Sequence, residues 1–406
     1  MTATLNFTDV AVPPKADVVV VGAGLAGLFS AFYAARAGLG KVVLLERRSA
    51  VADLTSAHSA EGFRLEWGCR ENIEMVRDSV EIFDNFADVI GIRGYDIGVQ
   101  KSGYLFLSGS VGPSYRAAKI KARVDRWHDL GLTDVEYMSG DEARRRFPFV
   151  SENVEEAHFR GGDGVVAARA IARGMVLGGD FGVYVDTAVE AIETGGGRVA
   201  GVRTASGKVI AAPTVIVAAG PFTRRLVATA GAEVPIDGRR RHGLIAFLPP
   251  EQVDRTWPMV VDADLGLYWR PRPEGIFIGW ERALPWDEQP AEGLDPVPVD
   301  PRYLDQVQVH GQRLTSFWRD LRFENIQWHA GQYVSSRPYD GRPVIGGHPE
   351  VAGLYLNTAY EGRGVMATPA GSQLLVRLIQ GLEREPVNPF RVSMGGRGHM
   401  PDDMVL

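Results

Sequence analysis

The hydrophobic pattern changes period sharply near the start of the chain. Val18, Val19, Val20 and Val21 form an unbroken run of branched residues, which suits a parallel strand buried on both faces. Directly after it, Leu25, Leu28, Phe29 and Phe32 recur at i, i+3, i+4 and i+7, the apolar stripe of a helix packed on a core. Val42, Val43, Leu44 and Leu45 then read as a second buried strand. The uncharged stretch 18–35 is long enough for a membrane span, but its three central glycines, with the helical period starting only after them, fit strand plus helix better.

Further along, Ile73, Val76, Val80, Phe83 and Ala87 keep a helical period. Strand-like segments follow at 96–100 and 104–108, with Lys101, Ser102 and Gly103 as a hairpin turn. Helices are expected over 117–130 and 167–177, and the basic triplet 144–146 reads as a solvated helix end, where cations are favoured. Short strands at 183–187, 189–194, 199–204 and 209–211 are punctuated by glycine turns and lead into a buried strand at 215–218 that ends on Ala219 and Gly220. A second mostly β region covers 244–248, 259–261, 267–270 and 276–280, with one face toward a cavity or core. A proline-rich connection at 285–301, a helix over 303–321 and a closing helix to about residue 380 complete the reading.

At 406 residues the chain exceeds one ordinary core, so two domains are expected, possibly interleaved in sequence. A hydrophobic content of 45%, a charged content of 23% and a net charge of −6 describe a globular protein with no electrostatic footprint for nucleic acid. The one cysteine, Cys69, excludes an internal disulfide and any cysteine-based metal cluster, and makes a reducing, cytoplasmic setting the default. Cys69 itself reads as a small, semi-buried side chain.

The chemistry lies in the turns. Gly22, Gly24 and Gly27 follow the first strand with the G-x-G-x-x-G spacing of a dinucleotide site. In that site Gly22 allows the tight turn, Gly24 lets the backbone approach a pyrophosphate, and Gly27 lets the helix pack on the strand. Ala23, Leu25 and Ala26 complete the turn, whose N–H groups and helix dipole face the phosphates. Glu46 ends the second strand where a carboxylate accepts from a ribose hydroxyl, which points to NAD or FAD over NADP; Arg47 and Arg48 follow it. The run 55–62 is rich in hydroxyls around His58 and Ser59, and reads either as the lining of an extended cofactor or as an ordinary surface turn.

Taken together, four stretches resemble the D-amino-acid oxidase-like flavoproteins, the group of glycine oxidase, sarcosine oxidase and related amine dehydrogenases. They are 18–46, 164–170 with the meander to 221, 268–279, and Arg337-Pro338-Tyr339-Asp340-Gly341-Arg342-Pro343-Val344-Ile345-Gly346 through Gly371. The resemblance implies an α/β and α+β fold: a Rossmann-like FAD-binding domain (1–90, 150–222, 331–406) interleaved with a β-rich substrate domain (91–149, 223–330). FAD would be held covalently or non-covalently between them. On this resemblance Gly362, Arg363, Gly364, Val365 and Met366, at the start of the last helix, would hold the flavin, and Val189 would contact the adenine side.

The family arginine that holds a substrate carboxylate matches Arg337, with Arg363 within one position of another family arginine. Tyr268 would bind the carboxylate or close one wall, or be plain core. Arg64 would approach the flavin ring or form a surface salt bridge. The lysine that activates oxygen in sarcosine oxidase-like members falls near Phe277, which leaves oxidase and dehydrogenase open and tilts toward the latter. No counterpart of their flavin-linking cysteine exists in 333–339, whereas His58 sits near a histidine that links FAD in other relatives.

The expected activity is oxidation of a C–N bond in a small amine or amino acid, by hydride transfer to flavin N5, giving an imine. An α-hydroxy acid dehydrogenase of the same fold and a flavin-bearing subunit of a multi-subunit dehydrogenase are the alternatives. Neither a metal, a nucleic acid nor a membrane span is expected, while a homo-oligomer or a partner subunit is compatible with the chain.

Overall fold

Alternate valines of the first strand enter two different cores. Val18 and Val20 pack with the helices on one side of a sheet, whereas Val19 and Val21 pack on the other. A strand covered on both faces has no polar side, which is why this run shows no alternation. In the computed structural model, which describes residues 12–109, 117–248, 251–280, 284, 293–321, 323, 325–336 and 340–393, Val18–Val21 lies inside a six-stranded sheet. The order is Val344–Gly347, Leu354–Thr358, Thr214–Val217, Val18–Val21, Val42–Leu45 and Gly182–Tyr184. All neighbours are parallel except the antiparallel edge strand Val344–Gly347.

Helices Leu25–Arg36, Arg70–Asp84, Ala168–Gly178 and Gly364–Ile379 contribute to the core on one face. The antiparallel meander Val189–Gly195, Arg198–Thr204 and Val209–Ala211 contributes to the core on the other. No helix among the described residues is long and apolar enough to cross a membrane, and 18–35 is divided between strand and helix.

A nine-stranded sheet forms the second layer. Its order is Ile326–Trp328, Asp237–Phe247, Gly275–Trp280, Leu267–Arg272, Met259–Asp262, Tyr104–Gly109, Val154–Arg160 and Glu136–Ser139, with Gly331–Ser335 pairing the first half of Asp237–Phe247. Segment 150–222 thus supplies strands to both large sheets. The alternation expected of a sheet with two different faces is present. Trp269, Ile276 and Ile278 enter one core, while Tyr104, Phe106, Ile245, Met259, Tyr268 and Phe277 form a smaller apolar cluster on the opposite face.

Two expectations are corrected. Residues 96–100 are not a strand, and 101–103 do not turn a hairpin. Tyr104–Gly109 instead pairs in parallel with Met259–Asp262 and antiparallel with Val154–Arg160, so both its partners come from later in the chain and neither from the residues just before it. The helix expected over 303–321 is broken: Arg302–Gly311 is helical, and a separate 3₁₀ turn covers Ser316–Asp320. Trp318 folds back onto Gly311, where a methyl group would come within 2.0 Å of the indole, and its N–H donates to the Val307 carbonyl at 3.1 Å. A continuous helix would carry that indole away from the gap it fills.

Candidate active site

Four parallel strands of the smaller sheet end along one edge, and the chain that follows each lines one cleft: Gly22, Gly24, Leu25 and Ala26 after the first, and Glu46, Arg47 and Arg48 after the second. Ala219 and Gly220 follow Thr214–Val217, and Gly362, Gly364, Val365 and Met366 come after Leu354–Thr358. Ligand sites of open α/β sheets lie at such carboxyl ends. Beyond that edge the cleft continues against Tyr104, Met259 and Tyr268 of the larger sheet.

The glycines of the first turn are dictated by crowding. A methyl at Gly22, where φ is +100°, would sit 2.6 Å from the Ala218 carbonyl oxygen, and one at Gly27 would sit 1.8 Å from the Gly22 oxygen. Gly27 therefore lies under the turn rather than on the cleft. Ala23 is fully buried and also lies behind the lining, because its N–H donates to Glu46 Oε2 at 2.7 Å. Glu46 Oε1 accepts from the Arg48 N–H at 2.9 Å. Each carboxylate oxygen keeps a second lone pair, so a ribose diol can be added to this arrangement without displacing it.

Arg47 lies 4.0 Å from the centre of the Phe222 ring and hydrogen-bonds Asp295. Arg48 bridges Asp53 at 2.8 Å and Asp295 at 2.8 Å, and these two acids raise its pKa. The hydroxyl-rich loop is part of the cleft, so it is no ordinary surface turn: Thr55, Ser56, His58 and Ser59 all line it. Ser56 Oγ accepts from the Leu25 N–H at 3.3 Å, which closes one donor of the first helix. The His58 ring meets that of His329 edge-on at 5.3 Å. Burial holds both imidazoles below their usual value, and His329 is pushed down to about 4, with His58 as the second cause. Val189 lines the same cleft near Thr187.

At the other end, Arg64 is only 2% exposed, which removes the surface salt bridge as a reading. Its guanidinium lies 3.9 Å from the Trp67 ring centre and 5.2 Å from that of Phe106, and it donates to the Glu66 carbonyl. Tyr268 is buried yet borders the cleft, whereas Phe277, stacked on it at 6.2 Å, lies behind. Among the described lining residues there is no lysine. Arg363 does not reach the lining: it is fully buried, donates to the Gly341 carbonyl and sits 4.8 Å from the Trp67 ring centre. Arg337 lies outside the described residues. Among those described, no three His, Cys, Asp or Glu side chains are grouped to hold a metal.

Several lining residues carry no local sequence signal. Glu61, at a φ of +57°, reaches Arg270 at 2.7 Å and Arg272 at 3.1 Å, and its Oε1 accepts from the Ala168 N–H at 3.0 Å. It thereby ties the hydroxyl loop to the larger sheet. Arg241, Tyr333 and Glu361 also line the cleft, and His329 stands directly behind His58. Period-2 alternation over 237–247, once the facing of one residue is known, is the signal that would have found Arg241.

A strand–turn–helix anion site, an acid at the end of the neighbouring strand and a second glycine-bordered helix entry, all on one cleft, define a flavin-type dinucleotide oxidoreductase. The family model for FAD-dependent oxidoreductases, the DAO family, matches residues 17–378, and the chain belongs to that family. Among its relatives are FAD-dependent oxidoreductase domain-containing protein 1 of Xenopus laevis, 25% identical over 90% of this chain and 79% of that protein, and glycine oxidase of Pseudomonas aeruginosa, 25% identical over 94% and 99%. Its fold is that of L-proline dehydrogenase from P. horikoshii, with a TM-score of 0.78, 21% identity and coverage of 93% and 96%. The protein is an enzyme, and its cofactor is FAD.

Proposed function

We propose that the protein oxidises the C–N bond of a small amine or amino acid. The observation that carries this reading is the cleft's far end, where buried aromatic walls and two arginines, Arg64 and Arg241, border the place beside the last helix. Such walls exclude water and fix a small substrate against a planar ring, and the arginines favour an anionic one. Names among the relatives, glycine oxidase and L-proline dehydrogenase, agree with that class.

FAD, when bound, would supply the two-electron acceptor for oxidation of the C–N bond to an imine, which water would hydrolyse. The chain's own contribution is orientation and electrostatics. Gly22, Gly24, Leu25, Ala26 and Glu46 would anchor the ADP half, and the hydroxyl loop and the Gly362 turn would hold the flavin end. Tyr268 closes the wall facing it, and Arg337 is the carboxylate partner that the family resemblance suggests. An amine that binds unprotonated needs no protein base.

The test is an anaerobic screen of glycine, proline and N-methylated amino acids for bleaching of the flavin absorbance, followed by admission of air. Bleaching by an amine supports the reading, and the rate of reoxidation then separates oxidase from dehydrogenase. Bleaching by α-hydroxy acids and by no amine would refute it.

A further inference from the structure

Glu66 and Asp163 are both fully buried, and neither lines the cleft. Asp163 Oδ1 has its donors: it accepts from the Leu65 N–H at 3.2 Å and from Arg160 Nη1, while Arg160 has a second acid in Asp134 at 2.9 Å. Asp163 Oδ2 and both carboxylate oxygens of Glu66 meet no N–H or O–H donor among the described residues. The two side chains are in hydrogen-bonding contact with each other. Two acceptors cannot bond without a hydrogen between them, and a donorless carboxylate cut off from water costs several kcal/mol. A single proton resolves this. It turns one carboxyl into a donor, so the contact becomes an O–H···O bond and the pair keeps one negative charge opposite Arg160. Burial above all, and then the Glu66 charge, lifts the Asp163 pKa well above the usual carboxylate range. Carboxyls this close titrate as one unit.

The pair stands directly behind the reacting end of the cleft. Leu65, whose N–H Asp163 holds, lies between Arg64 and Trp67, and both of these line the cleft. Their turn is wound tightly: the Trp67 N–H donates to the Leu65 carbonyl at 2.7 Å, the Trp67 indole N–H to the Arg64 carbonyl at 2.9 Å, and Arg64 to the Glu66 carbonyl. A displacement of Glu66 is therefore carried to guanidinium and indole together. The charged and titratable groups that face the pair are Arg160 from Val154–Arg160, Arg64 from its own turn, and Tyr104 from Tyr104–Gly109. Burial keeps the Tyr104 phenol protonated, and both acids, Arg64 and Arg270 act on it as well.

We propose that Glu66 and Asp163 share one proton and, as a singly charged pair, hold the Arg64 and Trp67 corner of the cleft in position. Both are positioning residues, since neither reaches the cleft. When the proton is lost at alkaline pH, two adjacent carboxylates repel each other and the corner loosens. The unfolded chain gives up this proton near the ordinary value of 3.8, the folded chain only at a higher pH. Stability contributed by the pair is therefore greatest at low pH and falls as pH rises through that window.

Infrared difference spectra of the FAD-loaded protein, recorded between about pH 6 and about pH 10 to bracket buried carboxyls, read the proton directly and need no substrate. The expected result is a protonated-carboxyl band that disappears at the alkaline end, shifts with isotope-labelled glutamate or aspartate, and is absent from Glu66→Gln. Flavin absorbance should change over the same range in the wild type and stay constant in Glu66→Gln, whose amide supplies the donor at every pH. Near neutral pH, Glu66→Gln should keep kcat/KM within about twofold of the wild type, whereas Glu66→Ala should lower it about 10- to 100-fold by letting the corner shift. Asp163→Asn also leaves one donor and one charge, and it serves as the second variant should Glu66→Gln fold poorly. Absence of the band overturns the proposal, by making both acids anions. A loss in Glu66→Gln as large as that in Glu66→Ala also overturns it, by making Glu66 a charged partner rather than half of a protonated pair. The infrared result is independent of substrate, so it stands or falls apart from the amine reading.

Discussion

Replacing Glu61 with glutamine keeps the shape of the side chain and removes its charge. Its carboxylate is the acceptor that Arg270, itself only 7% exposed, reaches at 2.7 Å, whereas Arg272 has a second acid in Glu274 at 2.6 Å. The loss therefore falls on Arg270. Removing one partner of a buried pair costs about 3–5 kcal/mol, because the remaining charge stays desolvated. The glutamine oxygen still accepts one hydrogen bond, which sets the expectation at the lower end, about 3 kcal/mol. Pairing Glu61→Gln with Arg270→Met in a double-mutant cycle, read by urea unfolding of the FAD-loaded protein, isolates the interaction. The double variant is expected to be at least about 1.5 kcal/mol more stable than the sum of the singles implies, since the uncompensated guanidinium is gone. Flavin release should quicken in Glu61→Gln, because the loop carrying His58 and Ser59 loses its tie to the larger sheet. Strictly additive losses would refute the coupling, and with it the view that this pair joins the two halves of the cleft.

Glu46→Ala should weaken FAD binding about 10- to 100-fold without changing the order of substrate preference, measured by flavin release and by relative bleaching rates; it removes a charged acceptor and leaves the Ala23 N–H unpaired. Gly279→Ala should displace the Tyr268 ring and raise the KM for substrate while FAD stays bound, so unchanged kinetics would contradict the placement of that ring. For His329 the pKa is pushed down from 6.5 to about 4, so the unfolded chain takes up its proton first on acidification. The stability this group contributes is present above about pH 6.5 and is lost as pH falls toward 4. Unfolding midpoints of the wild type should therefore decline across that window more steeply than those of His329→Gln; parallel curves would remove His329 from the account.

Local chemistry made the ADP-binding end legible in the sequence. Four consecutive valines, three spaced glycines and Glu46 all fall within a single strand–helix–strand unit, where neighbours in sequence are neighbours in space. The same locality explains the meander and the basic helix end at 144–146. Where the reading failed, the partner lay outside the local pattern: Tyr104–Gly109 pairs with Met259–Asp262 and with Val154–Arg160, and Trp318 ends a helix by packing on Gly311.

The sequence by itself determined that a dinucleotide site lies near the start of the chain and that a β-rich region follows it, because each rests on short-range periodicity or on a motif; FAD in place of NAD came from the family resemblance, carried above all by 337–371. Only the tertiary structure decided which side chains meet the reacting end. Arg64 became a buried cation on Trp67, Arg363 withdrew behind the cleft wall, and Glu61 found Arg270. Arg241 came to face Gly362 through the register of strands far apart in the chain. The physical reason is the period of two along a strand. Alternation divides residues between two faces, but which face meets the cofactor is settled by what packs against it.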